Sequence, residues 1–376
     1  YQGSESADGP SVRVQVTSRR IIPSLLLNAS VAVGDGYMHG RVKIDEGELE
    51  KFFELVAYNA PQVRVRQPFR RASTRIRRQR RNIAHHYDVG NDYYRLWLDE
   101  ETQFYSCAYF EREGLSPEEA RVTMSLEEAQ VAKVRHLLRK LRLARPEDNG
   151  NKPMRLLDIG CGWGYLAVTA AKEYGAEVLG ITLSEEQLKG AEELARREGV
   201  AHLVTFKLMD YRKLKGASFD RIISVGMYEH VGRKEQRRYF DTVSELLVDG
   251  GVTVLHTITQ QYPKPVSAWV DKRIFPGGYL PTPSEIFEVA RDKGLWQEDF
   301  EDLHEHYART LEIWRERHRR YRARIIDMYD EAFYRMRDFW LVGSWAGFHF
   351  GTLGLAQVVF TKGKSQELQS RRHIYS

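Results

Sequence analysis

The segment from Arg155 to Gly164, which reads RLLDIGCGWG, constrains the fold of this chain more than any other. A short apolar run ends in Asp158, and three alternating glycines follow just before an amphipathic segment. Because glycine lacks a Cβ atom, the backbone at Gly160 and Gly162 can turn sharply and a ligand can lie against it. The pattern predicts a strand, a ligand-cradling loop and a helix, with Asp158 facing a cleft at the strand's carboxyl end.

The loop lacks the residues that bind a dinucleotide. A dinucleotide fingerprint has a glycine at its sixth position and an acid about 20 residues further on, at the end of the second strand. Here the sixth position is Tyr165, and the second predicted strand runs into Thr182-Leu-Ser184, so NAD is disfavoured. The spacing resembles instead the first motif of S-adenosylmethionine-dependent methyltransferases. A tight turn in another α/β sheet is the alternative that this motif alone leaves open.

Length and composition set broad limits on the protein. The chain has 376 residues, 42% of them hydrophobic, which suffices for a sizeable core in one large or two medium domains. No apolar run is long enough to span a bilayer, and the first residues are polar, without a signal-peptide pattern. The two cysteines, Cys107 and Cys161, have neither metal-ligand nor disulfide-framework spacing. A reducing cytoplasm is therefore the expected location.

Basic residues are unevenly distributed, although the net charge is only +5. Residues 64–81 read RVRQPFRRASTRIRRQRR, where arginine is the only charged residue type. Such a block can bind nucleic acid, attract an anionic membrane surface or serve as a solvated connector. Membrane attraction is worth about 1 kcal/mol per basic residue near an anionic leaflet. Because the block has little aromatic interleaving and no recognition signature, nucleic acid is not an expected partner.

The sequence divides into three predicted parts. Residues 1–67 form a small α+β domain, with strand-like alternation over 12–16 and a helix over 46–58. Residues 68–81 are the basic linker, and residues 82–376 form the larger domain.

The larger domain alternates strands and helices, which predicts a doubly wound, mostly parallel sheet. The capping box Ser125-Leu-Glu-Glu128 starts a long helix, and Gly250-Gly251 is predicted as a turn. The predicted strands cover 156–159, 177–181, 204–208, 219–225 and 251–258, and the predicted helices cover 184–198 and 234–247.

The region from Pro263 to Asp338 interrupts this alternation. It contains a Pro/Gly/aromatic stretch, 275–283, and a helix-like segment, 310–334, and a strand over 353–362 follows it. We interpret the interruption as a helical insertion that covers the substrate, since inserts of this kind commonly carry active-site covers.

Five motifs in order identify a family resemblance. They are Tyr105-Ser-Cys-Ala-Tyr-Phe, Leu157-Asp-Ile-Gly-Cys-Gly-Trp-Gly, Gly180-Ile-Thr-Leu-Ser-x-x-Gln187, Ser224-Val-Gly-Met-Tyr-Glu-His-Val-Gly232 and His256-Thr-Ile258. Together they resemble the cyclopropane-fatty-acyl-phospholipid synthases and the mycolic acid cyclopropane synthases. The resemblance implies a seven-stranded, Rossmann-like class I methyltransferase sheet. Residues 11–62 also resemble the small amino-terminal domain of the phospholipid-modifying members, a lipid-binding type of domain.

The resemblance implies methyl transfer from S-adenosylmethionine to the cis double bond of an unsaturated acyl chain in a membrane phospholipid, which gives a cyclopropane ring. The intermediate is a carbocation, which desolvated aromatic faces stabilise by up to about 2 kcal/mol. The candidate aromatic residues are Tyr228, Tyr307, Trp345 and Phe348. In the family a bound bicarbonate ion then removes a proton. Its holders, carried over by motif, are Cys107, Glu229, His256, Tyr307 and the backbone at Ile258.

The four side chains among these holders also have plain structural alternatives. Cys107 could be a buried thiol in a turn, and Glu229 could cap a helix. His256 could be a core histidine, and Tyr307 could only pack.

The resemblance further assigns residues that contact S-adenosylmethionine. They are Tyr105, Ser106, Asp158, Gly160 and Gly162 at its methionine part, Thr182 and Gln187 near the ribose, and Asp210 and Tyr211 at the adenine.

Two features could suggest other chemistry. His85, His86 and Asp88 resemble metal ligands, but His-Tyr-Asp is a family signature at the cofactor lid, so no metal is expected. Ser344 stands where some members carry a cysteine, so a thiol nucleophile is not required there.

Alternative functions remain open at this point. A relative of the same family could give a methylene or methyl-branched product, a small-amine N-methyltransferase shares the fold, and a non-catalytic lipid-binding module could retain it. The expected partners are a phospholipid and an anionic membrane surface, with peripheral attachment to the inner face of the cell membrane. A homodimer is one family-level option, because two sites on one membrane patch would bind by avidity.

Overall fold

The computed structural model of the chain describes residues 11–59, 90–363 and 371–375. The basic stretch 64–81, the segment with His85, His86 and Asp88, and the predicted part boundaries lie outside the described residues. Among the described residues, no helix combines the length and the apolar content that crossing a bilayer requires.

The amino-terminal residues form a small α+β unit. Its elements are β1 (Val14–Val16), α1 (Ile22–Leu27), α2 (Ala29–Met38), β2 (Val42–Ile44) and α3 (Leu49–Asn59). The strands β1 and β2 are antiparallel, with Val14 opposite Ile44. Asn28 begins α2, since its side chain accepts a hydrogen bond from the Val31 amide at 3.2 Å.

The larger unit follows as an alternation of helices and strands. It comprises α4 (Asn91–Tyr94), α5 (Pro117–Thr123), α6 (Leu126–Lys140), β3 (Arg155–Ile159), α7 (Tyr165–Tyr174), β4 (Glu177–Thr182), α8 (Glu185–Arg197), β5 (Val204–Leu208), β6 (Phe219–Val225), α9 (Gln236–Leu246), β7 (Leu247–Gln260), α10 (Ala268–Arg273), α11 (Pro283–Arg291), β8 (Leu295–Asp302), α12 (His304–Arg320), α13 (Arg322–Met328), α14 (Glu331–His349), β9 (Leu353–Lys362) and α15 (Arg372–Tyr375).

These strands form one seven-stranded sheet in the order β5-β4-β3-β6-β7-β9-β8. The pairs among β5, β4, β3, β6 and β7 are parallel, and β9 runs antiparallel to both of its neighbours. The predicted doubly wound, mostly parallel sheet is therefore confirmed. The chain order reverses beside β3, and ligands of open α/β sheets bind at such a point, outside the carboxyl ends of the strands.

Three core clusters hold the larger unit together. One packs α6, α7 and α8 on one face of the sheet, with Leu137 and Ala170 fully buried. Another packs α9 and α11 on the other face, around Phe240 and Ile286. The third is rich in aromatic residues and joins α12 and α14 to α4, with Trp314 fully buried.

The capping box predicted for the long helix is present. The Ser125 hydroxyl accepts from the Glu128 amide at 3.2 Å, and the Glu128 carboxylate accepts from the Ser125 amide at 2.9 Å. Both contacts satisfy amides that a helix start leaves without partners, so α6 begins at Leu126.

Several boundaries differ from the sequence predictions. The turn predicted at Gly250-Gly251 lies inside β7, where the pairing with β6 jumps from Leu247 to Val252 and leaves an irregular bulge. The single helix predicted over 310–334 is three helices, α12 to α14, which begin earlier and end later. The strand β8 was not predicted.

The small unit packs directly on the insertion helix α14. The ring of Phe339 lies 5.2 Å from that of Tyr37 and 4.8 Å from that of Phe53, between ring centres. A Cβ atom at Gly343 would lie 2.9 Å from the Phe53 ring, so only glycine allows this approach. An ion pair adds to the contact, because Asp35 binds Arg273 of α10 at 3.0 Å.

Candidate active site

A pocket of about 1480 Å³, including its open mouth, lies at the carboxyl ends of β3, β4 and β6. The strand order places it where the chain order reverses beside β3. All the residues predicted to contact the cofactor line this one pocket: Tyr105, Ser106, Asp158, Gly160, Gly162, Thr182, Gln187, Asp210 and Tyr211.

The glycine-rich loop shapes the floor of the pocket. Gly160 has a φ of 85°, and a Cβ atom there would lie 2.9 Å from Met227. Gly162 has a φ of 54°, and a Cβ atom there would meet no atom within 4 Å. The left-handed backbone explains both glycines, and the open space at Gly162 is where a ligand can approach the main chain.

Asp158 is buried at the end of β3, with 2% of its surface exposed. Burial raises the pKa of its carboxyl to about 7. A cationic group of a ligand in the pocket would reverse this shift and favour the carboxylate.

The position normally taken by a ribose-binding acid holds a pair of neutral polar residues. The Thr182 hydroxyl donates to Gln187 Oε1 at 2.8 Å, which fixes the amide and leaves its NH₂ group as a donor. Ser184 holds Gln187 at the start of α8 through a 3.3 Å bond to its amide.

Asp210 is engaged by its own neighbour. Its carboxylate accepts from Arg212 Nε at 2.9 Å and from Arg212 Nη2 at 2.6 Å, and both side chains are buried. The pair anchors the loop that carries Tyr211 at the pocket wall.

Ser106 connects the pocket to α6. Lys133 Nζ donates to the Ser106 hydroxyl at 2.9 Å, and Gln130 Nε2 donates to the Ser106 carbonyl at 3.0 Å. Sequence reasoning missed both helix residues. The available signal was a lysine on the face of α6 that also carries Leu126, Ala129 and Leu137, a position where burial is expected.

Glu229 lies in a short 3₁₀ turn after β6 and is 5% exposed. Its Oε1 accepts a hydrogen bond from the Ile258 amide at 2.8 Å, and its Oε2 is buried without a partner among the described residues. Burial raises the pKa of the carboxyl, and the bonds from Ile258 and Thr257 only partly oppose this. The carboxyl therefore takes up a proton more readily than an exposed glutamate, and in its protonated form Oε2 can donate to an anion.

His256 lies on β7 and is 1% exposed. Its Nδ1 lies 3.2 Å from Gln357 Nε2, and its Nε2 is buried without a partner in the described part of the chain. Burial, with help from the charges of Lys133 and Lys140, holds its pKa well below the usual value, so the ring is neutral. The Gly226 amide, which lines the pocket, donates to the His256 carbonyl at 3.0 Å and ties this strand to the pocket.

Cys107 and Tyr307 meet at the start of α12. The Cys107 thiol donates to the Ala108 carbonyl at 3.1 Å and lies 3.9 Å from the Leu303 carbonyl, which accepts from the Tyr307 amide at 3.1 Å. Burial raises the pKa of the Cys107 thiol, so it stays protonated. The Tyr307 ring packs 4.4 Å from that of Phe348.

The other aromatic candidates lie elsewhere. Tyr228 is buried in the core between β6 and α9, with its ring 4.9 Å from Tyr239, so the expectation that it faces the substrate does not fit its position. Trp345 Nε1 donates to Glu312 at 3.1 Å. Within residues 11–59, 90–363 and 371–375, no group of His, Cys, Asp or Glu is arranged to hold a metal ion.

The sheet order, the glycine-rich loop and the pocket beside it define a class I S-adenosylmethionine-dependent methyltransferase. Residues 74–358 match the family described as mycolic acid cyclopropane synthetase, and the chain belongs to this family.

Relatives of known name support this assignment over nearly the whole chain. A cyclopropane-fatty-acyl-phospholipid synthase of Escherichia coli is 36% identical over 98% of this chain and 92% of its own. A probable fatty acid methyltransferase of Pseudomonas putida is 34% identical over 96% and 90%. The solved structure of the mycolic acid cyclopropane synthase CmaA1 complexed with SAH and CTAB is similar with a TM-score of 0.67, at 33% identity over 75% of this chain and 98% of that chain. The family match and the similarity to a structure with bound SAH confirm the prediction that S-adenosylmethionine is the cofactor.

Proposed function

We propose that this enzyme transfers a methyl group from S-adenosylmethionine to the cis double bond of an unsaturated acyl chain in a membrane phospholipid, and then closes a cyclopropane ring. The observation that supports it most is that Glu229 Oε2 and His256 Nε2 are both buried without partners among the described residues. Both residues contact the elements that border the pocket, because the His256 carbonyl accepts from the Gly226 amide of the pocket wall and Glu229 binds the Ile258 amide of the same strand. Buried polar atoms normally find partners, so such a pair favours a small polar guest.

The pocket residues would orient the cofactor, which supplies an electrophilic methyl group when bound. The main chain at Gly162 leaves room for its amino-acid end, and Asp158 would accept its ammonium group. Gln187, fixed by Thr182, would donate to the ribose hydroxyls. These assignments follow the motif resemblance, and they are supported by the position of all these residues around one pocket.

An alkene is a weak nucleophile, so the protein must align it with the methyl group and exclude water; positioning of this kind supplies several kcal/mol, about 7 in favourable cases. We place the alkene beside Tyr307 and Phe348, whose rings touch each other and are buried. Their faces would stabilise the carbocation by up to about 2 kcal/mol.

Ring closure needs a base that takes a proton from the added methyl group. Bicarbonate, when bound, would supply that base. The described residues fit such an anion when Glu229 is protonated: its Oε2 can then donate, and neutral His256 can donate from Nε2 when Nδ1 accepts from Gln357. Cys107, whose thiol lies near the Leu303 carbonyl at the start of α12, and Tyr307 of that helix would complete the enclosure.

The small unit supports a peripheral membrane location on the cytoplasmic side. Leu26 and Leu27 of α1 are 86% and 88% exposed, an unusual arrangement for two adjacent leucines. The same small unit exposes Arg19, Arg41 and Lys43. A basic surface with projecting apolar side chains is suited to an anionic bilayer.

Incubation with labelled S-adenosylmethionine and vesicles of mixed unsaturated phospholipids tests the proposal. Acyl chains should gain one CH₂ unit, because the methyl cation adds and a proton leaves, and the product should resist mild hydrogenation. Saturated phospholipid vesicles serve as the control and should remain unlabelled. Label transfer to small amines instead of lipid would overturn the proposal.

Methyl transfer to an acyl chain without ring closure is a second candidate, because the similar Pseudomonas putida protein is named a probable fatty acid methyltransferase, a name that specifies no ring. A methylene product would have the same mass as the cyclopropane but would take up hydrogen. A saturated methyl branch would be heavier by two hydrogen atoms.

A further inference from the structure

Lys133 of α6 is a fully buried lysine that binds no carboxylate directly in the described part of the chain. Its exposed fraction is 0%, its Nζ donates to the Ser106 hydroxyl at 2.9 Å, and it lies 3.5 Å from the centre of the Phe104 ring. Within the described residues it forms no ion pair. The nearby carboxylate of Asp99 accepts hydrogen bonds from the Thr102 hydroxyl and the Phe104 amide instead.

A second buried lysine on the same helix has a carboxylate partner. Lys140, also 0% exposed, lies two turns further on and forms an ion pair with Glu301. Burying an unpaired charge is costly, so a buried lysine normally has such a partner. The fold therefore neutralises one buried lysine of α6 and leaves the charge of the other available beside the pocket.

Lys133 reaches the cofactor pocket through the two residues that it contacts. Both Ser106 and Phe104 line the pocket. Because Lys133 occupies a lone pair of the Ser106 hydroxyl, the hydroxyl proton is free to donate to a ligand. Gln130, one turn earlier on the same face, holds the Ser106 carbonyl at 3.0 Å and fixes the residue in place.

We propose that Lys133 is a positioning residue that provides the counter-charge for the carboxylate of the cofactor's amino-acid end, through the Ser106 hydroxyl. The inference rests on the cofactor site described under the proposed function. The amino-acid end is a zwitterion: Asp158 of the pocket wall would face its ammonium group, and Lys133, behind the Ser106 hydroxyl, would act on its carboxylate. Burial lowers the pKa of Lys133 to about 7, so a carboxylate nearby would stabilise its charged form.

Calorimetry with two ligands tests this role. S-adenosylhomocysteine has the amino-acid end, and 5′-methylthioadenosine lacks it. Lys133→Met should weaken binding of S-adenosylhomocysteine by at least about tenfold, as expected for the loss of a charge-assisted contact, and should leave binding of 5′-methylthioadenosine within about twofold. Lys133→Gln retains a donor without the charge and should show an intermediate loss.

Matched variants separate positioning from folding. Lys140→Met removes the other buried lysine of α6 and should lower the melting temperature without changing the ratio of the two affinities. Ser106→Ala should mimic Lys133→Met, and the double variant should lose little more, because both act on one contact. Should Lys133→Met fail to fold, Lys133→Gln and Ser106→Ala provide the same comparison.

The outcomes are distinct. An equal loss of both ligands in the Lys133 variants, or no loss of either, overturns the role of Lys133 while the cofactor site stands. Failure of the unaltered protein to bind S-adenosylhomocysteine overturns the cofactor site, and the role of Lys133 with it.

Discussion

The Glu229 carboxyl accepts a hydrogen bond from the Ile258 amide at 2.8 Å, which joins the loop after β6 to the end of β7. One oxygen of the acid is therefore structural, and the other remains available. Removing the whole carboxyl and replacing one of its oxygens should therefore have different effects.

Replacement of Glu229 should affect turnover more than cofactor binding. Glu229→Ala removes both oxygens and should slow methyl transfer on the order of 100-fold, whereas Glu229→Gln keeps an acceptor for Ile258 and a donor, and should be milder. Kinetics with vesicles and calorimetry with S-adenosylhomocysteine measure the two effects. An equal fall in cofactor affinity would mean that Glu229 belongs to the cofactor pocket.

Gly162→Ala should weaken cofactor binding, because a methyl group at this left-handed position points into open pocket space. Gly199→Ala is the matched control, since Gly199 also has a positive φ, of 74°, with no atom within 4 Å of a Cβ. Both variants should lose about 1–2 kcal/mol of stability from backbone strain. Only Gly162→Ala should lower the affinity for S-adenosylhomocysteine, by roughly tenfold; equal affinities would contradict the assignment of the loop.

Binding to vesicles should depend on the two exposed leucines of α1. Leu26→Ser with Leu27→Ser should reduce sedimentation with anionic vesicles by at least about tenfold, since each side chain contributes about 1.5–3 kcal/mol when fully buried. Val122→Ser, at a valine that is 75% exposed on the larger unit, serves as the control. Binding should also weaken with salt, because exposed charges are screened over about 8 Å. Unchanged binding of the leucine variant would exclude α1 as the contact.

Acid stability should depend on Glu301. Burial alone would raise the pKa of this carboxyl, but the bonds and charges of His136 and Lys140 outweigh it and hold the pKa near 2, below the ordinary 4.5. The folded pKa is the lower one, so the carboxylate stabilises the fold at neutral pH, and this contribution is lost as the pH falls from about 4.5 towards 2.

Glu301→Gln should therefore destabilise the protein at pH 7 by about 1–3 kcal/mol, and the difference should shrink on acidification. Urea unfolding at several pH values measures it. Glu198→Gln, which breaks an exposed pair with Lys172, should cost well under 1 kcal/mol. A difference that grows on acidification would contradict the sign of the shift.

Thiol reagents should leave the native enzyme active. The chain has two cysteines, both buried, and burial raises the pKa of each thiol. Since the thiolate is the reactive form, N-ethylmaleimide should react with native protein slowly and with urea-unfolded protein at both sites. Rapid inactivation of native protein would show that the loop around Cys107 opens readily.

Local pattern was enough to predict most of the sheet. The strands over 204–208, 219–225 and 353–362 were predicted with the bounds that the structure has, because each is a short apolar or alternating run between turn residues. The edge strand β8 was missed, since its sequence WQEDFED after Leu295 is polar and only half-buried, and its pairing with β9 is long-range.

The insertion was predicted in outline only. The breaks at Tyr321 and Tyr329 occur without proline or glycine, and the one local signal is Asp330, whose side chain caps the start of α14. The long-range packing of α14 against α12, α2 and α3 decides where these helices end.

Motifs located the pocket residues, because most of the motifs lie at the ends of parallel strands, which meet at one edge of the sheet. The Tyr105-Ser106 motif lies outside the sheet, and only the family resemblance located it. They could not supply Lys133, Gln130 or Gln357, which reach the site from other elements. Tyr228 shows the opposite error: it lies in a motif, but its ring turns into the core.

The close packing of the small unit on α10 and α14 limits which residues can be exchanged there. Phe53 fills the space in which any side chain at Gly343 would begin, and Trp269 does the same at Gly34. Neither surface can gain a single carbon unless the other gives way. A chimera that takes residues 11–59 from a relative should therefore keep its stability only when the facing residues of α10 and α14 are exchanged with them.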